Sequence, residues 1–86
     1  MARLIPAAER IKKARALIQK VRNLPRPEDG ALAELSFVAQ VKDLLRQARD
    51  LIKFIPYSVG TTPELKKEVE SIFAEAELAE KEVLHR

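Results

Sequence analysis

Cysteine and tryptophan are absent from this 86-residue sequence, which has only two glycines, three phenylalanines and one tyrosine. Without cysteine, the chain can form no disulfide, no thiolate metal ligand and no cysteine nucleophile. A core with so few aromatic side chains must consist of leucine, isoleucine, valine and alanine, which favours helices over strands. Because small secreted domains usually depend on disulfides, we expect a cytoplasmic protein.

Long hydrophobic runs are also missing. No apolar run approaches the roughly 20 residues that a membrane-spanning helix needs. The first residues lack the apolar stretch of a signal peptide. We therefore expect no membrane association.

The residues that usually carry catalysis are equally scarce. The single histidine, His85, is the residue before last, and the three serines, Ser36, Ser58 and Ser71, have no histidine base close by in the sequence. No group of His, Cys and carboxylates has metal-ligand spacing, and no glycine-rich phosphate loop is present. These absences predict a protein that is not an enzyme and has no cofactor, metal or small-molecule substrate.

Charged residues make up 34% of the chain, and Asn and Gln together number only four. This composition is typical of thermophilic proteins. Two segments rich in proline, glycine and turn-forming residues, 24–30 and 56–62, divide the chain into three parts. Proline and glycine interrupt helices, so these segments predict two loops.

The three parts each have the 3.6-residue periodicity of an amphipathic helix. We predict helices over about residues 6–23, 31–55 and 63–84 within one domain. The predicted buried faces are Ala7, Ile11, Ala14, Leu17, Ile18 and Val21 on the first helix; Phe37, Val38, Val41, Leu44, Leu45, Ala48, Leu51, Ile52 and Ile55 on the second; and Leu65, Val69, Ile72, Phe73, Ala76, Ala79, Val83 and Leu84 on the third.

Local residues sharpen this prediction at two points. Thr62 is a natural N-cap for the third helix, with Pro63 in its first position and Glu64 near the positive end of the helix dipole. The second helix has the widest apolar arc, about 140° on a helical wheel, so we expect it to be the central helix.

Short connections between long helices predict antiparallel neighbours. The expected fold is therefore all-α, an up-down-up three-helix bundle. The alternative is a helical hairpin whose third helix completes a four-helix or larger bundle by dimerisation.

Charge changes sign along the chain. Residues 1–30 contain eight Lys/Arg and three Asp/Glu, a formal charge of +5, whereas residues 31–60 carry +1 and residues 61–86 carry −3. The simplest interpretation is that a basic first helix packs beside an acidic third helix. On the second helix, we expect Asp43 to pair with Arg46 and Asp50 with Lys53, at helical spacing.

A second hypothesis is a protein partner or self-association. Several apolar residues fall outside the predicted buried faces. They are Ile5, Leu32, Leu35, Phe54, Tyr57 and Leu78. Leu78 is the most suggestive, because it lies beside Ala74 on an otherwise charged face. For Leu32, Leu35 and Phe54, packing against loops or helix ends is the simpler expectation.

A third hypothesis is nucleic-acid binding, in which the basic helix faces would contact the phosphates. The candidate residues are Arg15, Arg22, Lys42, Arg46, Arg49 and Lys53. The connection between the first two helices is too long for a helix-turn-helix, and no aromatic platform is present for stacking bases. We therefore favour a non-enzymatic helical interaction module, an accessory subunit or adaptor, with nucleic-acid binding as the alternative.

Overall fold

The described part of the chain folds into three long helices. A computed structural model describes residues 6–27, 30–57 and 60–84. Helix α1 spans Ala7–Arg22, α2 spans Ala31–Ile52, and α3 spans Pro63–Leu84, with a short 3-10 turn at Ile55–Tyr57. The described residues contain no strand, so the predicted all-α three-helix bundle is confirmed. Within these same ranges, no helix is both long enough and apolar enough to cross a membrane.

The start of α3 follows the predicted capping pattern. The hydroxyl of Thr62 accepts a hydrogen bond from the backbone N–H of Leu65 at 3.2 Å. The Thr62 carbonyl accepts the first helical bond, from Lys66. This cap satisfies an N–H group that has no partner within the helix, so the loop passes into α3 at a defined residue.

The predicted end of α2 at Ile55 is wrong, because the helix stops at Ile52. Pro56 explains the difference: its ring would clash with the carbonyl of Ile52, and it has no N–H to donate there. The chain instead forms the 3-10 turn, in which the Tyr57 N–H donates to the Phe54 carbonyl at 3.1 Å. Ile55 remains buried as predicted, although it lies outside α2.

The core consists of aliphatic and alanine side chains from all three helices and the 3-10 turn. Its buried residues are Ile11, Ala14, Ile18, Val21, Val41, Leu44, Leu45, Ala48, Ile52, Ile55, Val69, Ile72, Ala76 and Ala79. Every one belongs to a predicted buried face. The described residues include no buried polar or charged side chain, so the interior itself offers no chemistry.

Each helix contacts both of the others, and the α1–α2 interface is the most extensive. Helix α2 contacts both of the others, as its wide apolar arc predicts, but it is not a single central helix because α1 and α3 also contact each other. In the first turns of α2, residues 31–36 are all exposed, and burial begins only at Phe37. These first turns of α2 precede the predicted apolar arc, and the described residues leave them exposed.

Candidate interaction surfaces

The five apolar side chains predicted to lie outside the core are all exposed. Their exposed fractions are 81% for Leu32, 66% for Leu35, 62% for Phe54, 86% for Tyr57 and 51% for Leu78. The expectation that Leu32, Leu35 and Phe54 pack against loops or helix ends is therefore wrong. Ile5, Ser58 and His85 lie outside the described residues.

Leu32 and Leu35 lie in the first turns of α2. They are three residues apart, a spacing that places side chains next to each other on one face of a helix. Only Glu34 among residues 31–41 is charged, although 34% of the whole chain is charged. The two leucines therefore form an apolar patch on a nearly uncharged helix end, which we call the α2 start patch.

Phe54 and Tyr57 lie at the opposite end of α2. A helix of 22 residues is about 33 Å long, so they do not share a surface with the α2 start patch. The Lys53 ammonium lies 5.0 Å from the centre of the Phe54 ring, within the range of a cation–π contact. This contact gives Phe54 a partner on its own chain without covering the ring.

Leu78 lies on the outer face of α3, next to exposed Ala74. A glutamate and a lysine of the same face, Glu77 and Lys81, form an ion pair at 3.6 Å. Leu78 is thus a single apolar residue in a charged surface, which is common in soluble proteins. Of the predicted contact residues, it gives the weakest indication of a binding surface.

Three of the six candidate phosphate-binding residues face glutamates of α3. Arg15 lies 3.9 Å from Glu75, Arg22 lies 3.6 Å from Glu82, and Arg49 lies 3.9 Å from Glu80. These contacts support the interpretation that the charge split matches a basic helix to an acidic one. Two further glutamates of α3, Glu64 and Glu68, form no ion pair with the basic residues that the structure describes.

Two further candidates pair within α2, as predicted. Arg46 lies 2.7 Å from Asp43, and Lys53 lies 3.1 Å from Asp50. Among the six, only Lys42 has no ion pair in the part of the chain that the structure describes. The predicted basic face of α1 and α2 is therefore largely matched by carboxylates.

A shallow hollow between α1 and α2 was not predicted from the sequence. Its volume is about 440 Å³ and its lining comprises Arg10, Leu17, Gln47, Asp50 and Leu51. A second hollow of about 330 Å³ shares Leu17 and Leu51 and adds Lys13, Ala16 and Lys20. Both leucines lie at the edges of predicted apolar faces, and this edge position is the signal that could have revealed the hollow.

The described residues contain no group of three or more His, Cys, Asp or Glu that could hold a metal ion. Comparisons with known proteins found no matching family model, no similar curated protein and no similar solved structure.

Proposed function

We propose that this protein is a non-enzymatic helical interaction module, an accessory subunit or adaptor of the cytoplasm, which contacts a protein partner or a second copy through helix faces. The observation that carries the proposal is the α2 start patch, Leu32 and Leu35. A helix end that is almost free of charge and that the described residues leave exposed gains stability when a partner removes it from water.

The other features of the structure are consistent with this role. The core is complete with fourteen buried aliphatic residues, so the fold does not need the exposed leucines for its own stability. Burying an exposed leucine side chain contributes about 1.5–3 kcal/mol. Two adjacent leucines therefore contribute about 3–6 kcal/mol, which offsets part of the free-energy cost of association.

Nucleic-acid binding has less support as a function. Five of its six candidate residues lie within 4 Å of a carboxylate: Arg15, Arg22, Arg46, Arg49 and Lys53. A phosphate would have to compete with these carboxylates for each base, which reduces the favourable electrostatic term of binding.

Light scattering coupled to size-exclusion chromatography tests the self-association form of the proposal. The native protein should gain mass as its concentration rises, and the double variant Leu32→Ser/Leu35→Ser should remain a monomer with the same helical circular dichroism. A native protein that remains a monomer at every concentration would exclude self-association and leave only a heterologous partner.

A further inference from the structure

The hollow between α1 and α2 combines an apolar floor with a charged rim. Leu17 and Leu51 are partly buried side chains that pack against the core, and both line the two adjoining hollows. Exposed Ala16, which has a small side chain, lines the second hollow beside them. This shape accepts an apolar side chain from outside, in the way that an amphipathic helix inserts its anchors into a groove.

The basic residues of α1 divide into two groups. On the side of α3, Arg15 and Arg22 form ion pairs with glutamates. On the side of the hollow, Arg10, Lys13 and Lys20 have no ion pair in the described part of the chain. Three basic residues of α1 around the apolar floor are therefore not matched by carboxylates of the described residues.

The rim also contains carboxylates, but they are outnumbered. With the neighbouring hollow beside Lys12, the lining contains four cationic side chains and two carboxylates, Glu9 and Asp50. Asp50 already has Lys53 as an ion-pair partner at 3.1 Å. The net charge of the rim is therefore positive, and a ligand that brings carboxylates is favoured.

We infer that this hollow, which we call the α1–α2 groove, binds an acidic amphipathic helix of a partner protein. This inference rests on the proposed function and adds to it the surface and the class of partner. Apolar side chains of the partner helix would cover Leu17 and Leu51, while its Glu and Asp residues would face Lys13, Lys20 and Arg10. A nucleic acid fits less well, because its phosphates would leave the apolar floor uncovered.

A second copy of this chain is also a poorer match than a separate acidic helix. The acidic helix of a second copy would be α3, and four of its seven glutamates already form ion pairs within the chain: Glu75, Glu77, Glu80 and Glu82. A symmetric contact of two α1–α2 grooves would bring lysines against lysines. The distribution of charge on the chain therefore favours an acidic segment from a different protein.

Binding of synthetic helical peptides, measured by fluorescence anisotropy on the full chain, tests the inference. The probe is a stapled peptide with leucines at i, i+3 and i+7 and glutamates on both flanks. One control peptide replaces every glutamate with lysine, and another keeps the composition but scatters the leucines. Only the first peptide should bind saturably, and added salt should weaken its binding.

Two pairs of matched variants locate the binding site. Lys13→Glu/Lys20→Glu should weaken binding by about tenfold or more, because two attractive contacts become repulsive. Lys66→Glu/Lys67→Glu makes the same charge change on exposed residues of α3 and should leave binding within about twofold. Ala16→Gln should fill the groove and reduce binding, whereas Ala8→Gln, at another exposed position of α1, should not.

Circular dichroism checks that each variant is folded, and Lys13→Gln/Lys20→Gln replaces the charge reversal if it unfolds the chain. Equal binding of the acidic and basic peptides, or equal binding by Lys13→Glu/Lys20→Glu and the native protein, would overturn the inference. So would an oligonucleotide that displaces the acidic peptide and binds more tightly, since this result would assign the groove to nucleic acid.

The proposed function and this inference fail separately. Leu32→Ser/Leu35→Ser should bind the acidic peptide normally, because the α2 start patch lies outside the groove. If Leu32→Ser/Leu35→Ser lost peptide binding, the peptide would depend on the α2 start patch. That result would exclude the α1–α2 groove as its binding site, but the protein would remain an interaction module. A native protein with no contact that depends on Leu32 and Leu35 would instead remove the proposed function.

Discussion

Arg22 on α1 and Glu82 on α3 face each other with 3.6 Å between Nε and Oε2. Arg15 and Glu75 repeat this arrangement at 3.9 Å, seven residues earlier on both helices. Seven residues are close to two helical turns, so the two ion pairs lie on the same side of each helix. The pairs therefore mark the parallel register of α1 and α3 in an up-down-up bundle.

Reversing the charge of the two α3 glutamates in these ion pairs should destabilise the bundle slightly. All four side chains are between 35% and 48% exposed, so each pair contributes about 0–1 kcal/mol. We expect Glu75→Lys/Glu82→Lys to lower the free energy of unfolding by about 1–2 kcal/mol, with lost attraction and new repulsion combined. Urea unfolding at low salt measures the change.

The quadruple variant that also carries Arg15→Glu/Arg22→Glu is the control for this prediction. It restores opposite charges in the reversed order and should recover most of the lost stability. An unchanged deficit in the quadruple variant would show that α1 and α3 do not have the register described above.

Ile72 and Leu78 make a matched pair for testing which face of α3 supports the fold. Ile72 is fully buried and Leu78 is half exposed on the same helix. Ile72→Ala should cost about 2–5 kcal/mol because it leaves a cavity in the core. Leu78→Ala should cost less than about 1 kcal/mol, and equal losses in thermal or urea unfolding would contradict the orientation of α3.

Thr62 provides a test of the boundary between the second loop and α3. Thr62→Ala removes the hydroxyl that accepts the hydrogen bond from Leu65 and should reduce stability by about 1 kcal/mol. Thr62→Ser keeps the acceptor and should retain most of the stability. A serine variant as unstable as the alanine variant would assign the loss to the methyl group of threonine and not to the cap.

Sequence patterns predicted the elements whose causes are local. The Thr62 and Pro63 pair determines the start of α3 by itself, and the 3.6-residue period identified every buried residue of the core. The end of α2 was predicted three residues too late because Ile55 continues the apolar arc and is indeed buried. Pro56 ends the helix in spite of that apolar pattern. The periodicity of apolar side chains gives no information on this backbone constraint.

Tertiary relationships were harder to predict. The wide apolar arc of α2 contacts both other helices as predicted, but the contact between α1 and α3 was not predicted from that arc. Packing against loops or helix ends was expected for Leu32 and Leu35, whereas residues 31–36 are all exposed. Periodicity shows which residues share a face but does not show whether another helix reaches that face. For the same reason Leu17 and Leu51 were placed in the core, and the groove between them was not foreseen.

Site-specific photo-cross-linking in cells of the source organism tests whether the α2 start patch contacts another protein molecule. A benzophenone side chain at position 35 would be compared with the same group at Lys67, which is exposed on α3. The proposed contact predicts a discrete adduct from position 35 that is lost when Leu32→Ser is added, and no matching adduct from position 67. Equal labelling from both positions, or no adduct from position 35, would contradict it.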